Sequence, residues 1–363
     1  MSSEKPLIYI FSFLFPLTLA LFLTPVIKKI AEKFNVLDQP VRERKIHQKP
    51  TPLLGGVAIF LSFLITLIIS WIFGWLDDGI IQVSQIWAII LGGLILMIGG
   101  ILDDKYNLKP WQSFLFPVLA VVAAVGLGIV VKYVTNPFVA GTGPYDRALF
   151  YFNWVDGQII SFGAFFSFLW LLGMIYTTKF LDGLDGLVSG IGTLGALILF
   201  IVSLFWDVPM SATSVLCLIL AGALLGFLKY NFYPAKIFLG EAGSTFIGFM
   251  LGVLAIISGA KIATALLIMG IPVLDVIWVI IRRLISHKHF YAGDRKHFHF
   301  RLLDAGLSHK QAVLFLYALT LIFGSSSLFL QSQDKVVAIG VLVLVMVVLA
   351  VWVTGKYRKN SQI

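Results

Sequence analysis

Cysteine is all but missing from this 363-residue chain, and the single thiol, Cys217, excludes an intrachain disulfide and any metal site built from several cysteines. Charge is scarce too: Asp, Glu, Lys and Arg make up 12% of the residues, against about 25% in a soluble domain. Hydrophobic residues reach 59%, where soluble chains hold about 45–50%. These departures exclude an ordinary globular enzyme, a disordered chain and a fibrous repeat. No cleavable signal peptide is expected, because residues 1–6 carry little positive charge and no small-residue cleavage site follows the first apolar run. Neither a fixed-period repeat nor a low-complexity segment stands out.

What is present in abundance is long apolar sequence. Runs of about 18 residues or more, each enough to cross a hydrocarbon core about 30 Å thick, fall at 7–27, 53–75, 85–102, 111–131, 159–179, 186–206, 211–229, 243–259, 262–281, 312–330 and 335–355. They predict an all-α polytopic integral membrane protein, one membrane domain over 1–363 with about eleven transmembrane helices. Pro272 predicts a kinked or broken ninth span. Turn signals at Thr135-Asn136-Pro137 and Gly141-Thr142-Gly143-Pro144 predict a small β-hairpin within 132–158.

Basic residues set the orientation. With the first connection cytoplasmic, only Lys5, Lys132, Arg147, Lys261 and Lys335 of the 27 Lys and Arg fall outside, the bias of the positive-inside rule. The N-terminus is then external and the tail Lys356–Lys359 internal. The cytoplasmic loops become 28–52, 103–110, 180–185, 230–242 and 282–311. The net charge of +9 is explained by orientation and anionic headgroups, so no nucleic-acid partner is expected.

Under this topology all six histidines and the carboxylates Asp103, Asp104, Asp182, Asp185 and Glu241 gather at the cytoplasmic face. The adjacent pair Asp103-Asp104 repels itself unless a cation intervenes; Lys105 can serve as counter-ion, or a hard cation such as Mg²⁺ together with substrate phosphates. Lys179-Phe180-Leu181-Asp182-Gly183-Leu184-Asp185-Gly186 puts two carboxylates on one side of a turn, with glycines that let a ligand approach the backbone. Asn231, Lys236 and Gly240-Glu241-Ala242-Gly243-Ser244 bring an amide, an ammonium and a carboxylate to a helix start, a ready anion site. His297 and His299 lie two apart, a spacing unlike the helical zinc motif, and with Arg301 they suit phosphate oxygens. In the first loop, Lys49 precedes a proline-stiffened, glycine-rich stretch, Pro50-Thr51-Pro52-Leu53-Leu54-Gly55-Gly56. Asp275 is an acid inside a span, a rare and usually functional placement; a structural partnership with an arginine or a polar cavity wall is the alternative.

Together these motifs resemble the polyprenyl-phosphate N-acetylhexosamine-1-phosphate transferase family, and its WecA/TagO branch more than the MraY branch. The resemblance runs from about Lys45 to Gly306. It rests on Lys45–Gly56, on Asp103-Asp104 with Leu108 and Pro110, on Asp182-Gly-Leu-Asp-Gly-Leu, on Asn231–Ser244, on Pro272-Val-Leu-Asp275 before Arg282-Arg283, and on Asp294-Arg295-x-His297-x-His299-x-Arg301. The three consecutive histidines usual in MraY-like members are absent. Four positions depart from the family pattern: Glu241 replaces an aspartate, Lys179 an asparagine, Phe300 a histidine and Ser113 a lysine.

The resemblance implies transfer of an N-acetylhexosamine-1-phosphate, GlcNAc-1-phosphate first, from a UDP-sugar to undecaprenyl or another polyprenyl phosphate, with release of UMP. It implies Mg²⁺, or Mn²⁺ in its place, held by Glu241 and Asp182 or Asp185. Catalytic roles would fall to Asp103, Asp104, Asp182 and Asp185, and substrate contacts to Lys49, Lys179, Asn231, Lys236, His297, His299 and Arg301. It further implies a plasma-membrane location, a cytoplasmic active site, a lipid groove beside the ninth span, and a homodimer of the kind common among family members. An MraY-like pentapeptide transferase, a lipid or solute transporter, and a catalytically damaged homologue acting by binding are the competing readings.

Overall fold

The computed structural model describes residues 5–40, 49–135, 148–151, 162–206, 211–258, 261–285 and 297–360. Within them lie the helices α1 (Lys5–Lys33), α2 (Gly55–Ile72), α3 (Val83–Tyr106), α4 (Pro110–Gly126), α5 (Phe162–Leu181), α6 (Leu187–Trp206), α7 (Ala212–Asn231), α8 (Gly240–Ile257), α9 (Ile262–Ile285), α10 (Phe298–Asp304), α11 (His309–Ser326) and α12 (Ser332–Asn360). Two antiparallel ribbons accompany them: β1 (Leu37–Asp38) pairs with β2 (Thr51–Pro52), and β3 (Tyr133–Thr135) with β4 (Ala148–Tyr151).

Each of the eleven expected spans falls on a helix. Among the described residues, nine helices are long and apolar enough to cross a membrane. The other two are α4 and α11. At 17 residues α4 sits at the lower limit of about 17 for a crossing; α11 is diluted by His309, Lys310 and Gln311 in its first turn. The expected break at Pro272 is not found, since α9 runs unbroken from Ile262 to Ile285. The expected hairpin is represented by β3 and β4, while 136–147 and 152–161 lie outside the described residues. The short helix α10 emerges inside a stretch that sequence periodicity marks only as loop; seven residues are too few for a helical period to declare itself.

In a bilayer the driving force between helices is close packing rather than water exclusion, so small residues mark the contacts. On α7, Gly222 and Gly226 are four apart, and a Cβ on either would run into the α1 backbone, at the Phe13 and Leu17 carbonyls respectively. The contact is pinned by Tyr9 Oη against Ser214 Oγ at 3.2 Å and by Tyr230 Oη donating to the Leu21 carbonyl at 3.1 Å. At the far end, Asp78 caps α7: its Oδ2 accepts from Ala212 N at 2.7 Å, while Oδ1 accepts from Ile80 N at 2.8 Å and Ile81 N at 3.0 Å.

The centre of the bundle is α8, 94% buried, and the periphery is α12, 17% buried. Packed around α8 are α2, α3, α5 and α6. Its position matters because its first turn carries Glu241.

Gly226→Leu should drive α1 and α7 apart and destabilise the bundle by about 1–3 kcal/mol, the usual cost of overpacking. Thermal unfolding in detergent checks this; an unchanged midpoint would mean that α1 does not depend on the glycine approach.

Candidate active site

Three helices meet almost backbone to backbone at the start of α8. A Cβ on Gly56 of α2 would strike the Gly243 backbone, and one on Gly100 of α3 would strike the backbone of Ala242. Gly240 has φ +74°, and a Cβ there would strike the Asp104 carboxylate. This approach brings α3 close enough to complete α8. The first N–H groups of a helix need acceptors, and Leu239 at the N-cap offers none from its side chain. Asp104 supplies it: Oδ1 accepts from Glu241 N at 2.9 Å, a placement the helix dipole also favours. Its Oδ2 is buried and has no hydrogen-bond partner among the described residues. The neighbouring Asp103 accepts from Leu108 N at 3.1 Å and so shapes the turn into α4.

The backbone before α8 is laced to the start of α2. Phe238 N donates to the Pro52 carbonyl at 2.8 Å, Gly55 N to Phe238 at 3.0 Å and Gly56 N to Leu239 at 2.8 Å. The glycine-rich first-loop motif and the Gly-Glu-Ala-Gly-Ser motif thus form one unit.

The two aspartates of the 180–185 loop have different surroundings. Asp185 is tied down: Oδ2 accepts from Ala235 N at 2.9 Å, and its own N–H donates to His309 Nε2 at 2.9 Å. Gly186 N and Ser189 Oγ donate to Asn231 Oδ1 at 3.1 and 2.7 Å, Asn231 Nδ2 donates to the Ile237 carbonyl at 3.1 Å, and Tyr317 Oη donates to the Gly186 carbonyl. Asp182 is exposed, with the Glu241 and Asp185 carboxylates near enough to act on it. Desolvation first, then the Glu241 and Asp185 carboxylates, raise its pKa from 3.8 to about 7.

Lys179, at the end of α5, pairs with the Glu241 carboxylate and donates to Ser113 Oγ at 3.1 Å. Its ammonium also lies 5.6 Å from the Tyr176 ring centroid.

From the third side, α10 delivers its histidines. His297 Nδ1 is 2.9 Å from Asp275 Oδ2, and Asp275 Oδ1 accepts from Phe298 N at 2.9 Å. The His297 ring is flanked nearly parallel by Phe180 and His299. His299 is 1% exposed and packs against Gly183, where a Cβ would strike Nε2. Burial lowers its pKa to about 4, so it is neutral, and neither ring nitrogen has a hydrogen-bond partner among the described residues.

Several expected contacts sit elsewhere. Asn231, expected to touch substrate, is buried with its amide engaged in the loop clamp. Lys49 and Lys236 are exposed. Arg301 lines a groove of about 610 Å³ between α9 and α12, with Asp275, Trp278, Ile281 and Met346. Residues 294–296 lie outside the described residues. Sequence reasoning did not assign His309 and Tyr317 to the loop clamp; both come from α11, and nothing local in the sequence links that helix to Asp185.

Among the described residues, no three His, Cys, Asp or Glu side chains converge on one metal position. Mg²⁺ is usually held by only one or two carboxylates, with phosphates and waters completing the octahedron. The unpartnered Asp104 Oδ2 and the open Asp182 carboxyl are hard oxygen donors that fit such an ion.

A family profile described as glycosyl transferase family 4 matches residues 86–259. The chain is 32% identical to a probable undecaprenyl-phosphate N-acetylglucosaminyl 1-phosphate transferase of Bacillus subtilis, over 92% of this chain and 87% of the relative. It is 30% identical to the decaprenyl-phosphate N-acetylglucosaminephosphotransferase of Mycolicibacterium smegmatis, over 90% and 84%. With the undecaprenyl-phosphate alpha-N-acetylglucosaminyl 1-phosphate transferase of Thermotoga maritima it shares 28% identity, over 84% and 85%. The chain belongs to this family of polyprenyl-phosphate N-acetylglucosamine-1-phosphate transferases.

The family profile spans Asp103, Asp104, Lys179, Asp182, Asp185, Asn231, Lys236 and Glu241, but ends before Asp275 and the histidines of α10. Three of the four departures from the family pattern touch one another, since Glu241, Lys179 and Ser113 form one chain of contacts.

Because folded Asp182 keeps its proton to about pH 7 while an unfolded one loses it near 3.8, folding loses stability as pH rises through that window. Without divalent cations, Asp182→Asn should unfold at a higher temperature than wild type at pH 8 and at a similar temperature at pH 4. A wild-type advantage at pH 8 would contradict the assignment.

Proposed function

We propose that this protein transfers N-acetylglucosamine-1-phosphate from UDP-N-acetylglucosamine to undecaprenyl phosphate or a related polyprenyl phosphate, releasing UMP. The reaction takes place at the cytoplasmic face of the plasma membrane, with the N-terminus outside and the C-terminus inside. The observation that carries this reading is the similarity to the Bacillus subtilis relative over 92% of the chain, together with that relative's name.

In this reaction an oxygen of the lipid phosphate attacks the sugar-bearing phosphorus. The bond from that phosphorus to the bridging oxygen breaks, and UMP leaves. A phosphomonoester has its second pKa near 6, so the lipid phosphate is largely a dianion at neutral pH. No general base is then required, and Asp103 and Asp104 are free to act as shaping and positioning groups. The difficulty is electrostatic, since both substrates are anions meeting beside carboxylates. Asp182 and Asp104 would hold Mg²⁺ or Mn²⁺, which when bound neutralises phosphate charge. Lys179, already against Glu241, would contact the transferring phosphate, and His297 and His299 would line the nucleotide side. The groove between α9 and α12 suits the isoprenoid tail, with Arg301 toward the lipid phosphate.

Protein purified in detergent should release UMP from UDP-N-acetylglucosamine only when polyprenyl phosphate and a divalent cation are present, and more slowly from UDP-N-acetylgalactosamine or UDP-MurNAc-pentapeptide. Glu241→Ala and Lys179→Ala should each lower kcat on the order of 10²-fold, the usual loss for one preorganised charged contact. No UMP from any donor, in folded protein that still binds the lipid, would contradict the transferase reading and favour a transporter or binding role.

A further inference from the structure

We propose that Asp275 is a positioning residue that fixes the orientation and proton of His297 so that its Nε2 meets a substrate phosphate. The inference rests on the transferase reading above.

Asp275 lies inside α9 and is 7% exposed; His297 just precedes α10 and is also 7% exposed. A carboxylate so enclosed is costly unless both oxygens are paired. Here both are, to one short segment: Oδ1 accepts from Phe298 N at 2.9 Å, and Oδ2 meets His297 Nδ1 at 2.9 Å. The first bond locks the carboxylate in place, and the second then determines the imidazole. Because an ionised carboxylate only accepts, Nδ1 must carry a proton whether the ring is neutral or cationic. The flanking rings of Phe180 and His299 leave the imidazole plane little freedom.

What remains is the opposite edge. His297 Nε2 has no hydrogen-bond partner among the described residues and, unlike both ring nitrogens of His299, is not sealed from solvent. The ring stacks beside Phe180, two residues before Asp182, so the imidazole lies beside the loop carrying the open carboxylate. With Nδ1–H already held, Nε2 binds a phosphate oxygen only as the imidazolium, whose charge the Asp275 carboxylate balances. Fixing a ring nitrogen through its partner is a known way of setting the working edge of a histidine.

Asp275→Asn provides the test. Its amide oxygen can still accept from Phe298 N, but its NH₂ then faces His297 Nδ1, which must accept, so the proton moves to Nε2. Nitrogen-15 NMR of the full-length protein in lipid bilayers reads this directly, with His297→Gln identifying the signal. Wild type should show a protonated Nδ1, and Asp275→Asn an unprotonated one. In kinetics, Asp275→Asn should raise the donor KM about tenfold or more, as expected for losing charge assistance at one hydrogen bond, with kcat little changed. The double variant with His297→Gln should be no worse than His297→Gln alone, because Asp275 acts through that ring.

Additive losses, a fall in kcat at unchanged KM, or the same tautomer in both proteins would overturn the proposal. Should Asp275→Asn fail to assemble, a wild-type His297 protonated only at Nε2 would overturn it, and one protonated at Nδ1 would support it. Should the wild type turn over no donor, the transferase reading fails separately. UMP affinity, weakened by Asp275→Asn or not, then decides the role of Asp275.

Discussion

The carboxylate of Asp104 accepts from Glu241, 137 residues later in the chain, and so completes the first turn of α8; the rest of the site is arranged around that contact. An unsatisfied buried N–H costs about 1–3 kcal/mol, and a lost N-cap about 0.5–2 kcal/mol. Asp104 therefore stabilises the start of α8 while being held there itself. The contact exists only because Gly56, Gly100, Gly240 and Gly243 let α2, α3 and α8 approach closer than any side chain would permit. Once α8 is fixed, Glu241 in its first turn is fixed, Lys179 reaches it from α5, and Asp182 opens onto the same space.

Around this junction the other polar groups divide into clamps and working edges. Asp185, Asn231, Ser189, His309 and Tyr317 have their hydrogen bonds directed at neighbouring protein and hold the 182–186 turn against the 231–237 loop. Asp182, the second oxygen of Asp104 and Nε2 of His297 are left without such partners among the described residues. That division is the chemical character of the cluster: a hydrogen-bonded frame surrounds a few oxygen and nitrogen atoms that have no protein partner among the described residues.

Much of this was legible in the sequence. Apolar run length placed a helix at each of the eleven expected positions, nine of them long and apolar enough to cross a membrane among the described residues, and the motifs carrying Asp104, Lys179 and Glu241 do come together in the fold. The pairing of Asp182 with Asp185 was legible as a motif, yet the sequence could not separate the tied carboxylate from the open one, because Ala235 and His309 reach Asp185 across about 50 and 124 residues. Asn231 looked like a substrate contact for the same reason, as its partners are distant in the chain. Nor could the sequence tell that Glu241, Lys179 and Ser113 are neighbours. Of the kink or break that Pro272 suggested, the break is absent, because in a packed membrane helix the neighbours allow the chain to continue past a proline.

Hydrogen exchange at the Glu241 amide, in the full chain reconstituted in nanodiscs, tests the central contact most directly. In wild type this amide should be protected like the interior of α8. In Asp104→Ala it should exchange rapidly while amides from Thr245 onward stay protected. Equal protection in both proteins would show that α8 is completed without Asp104, and would contradict the arrangement described for the whole site.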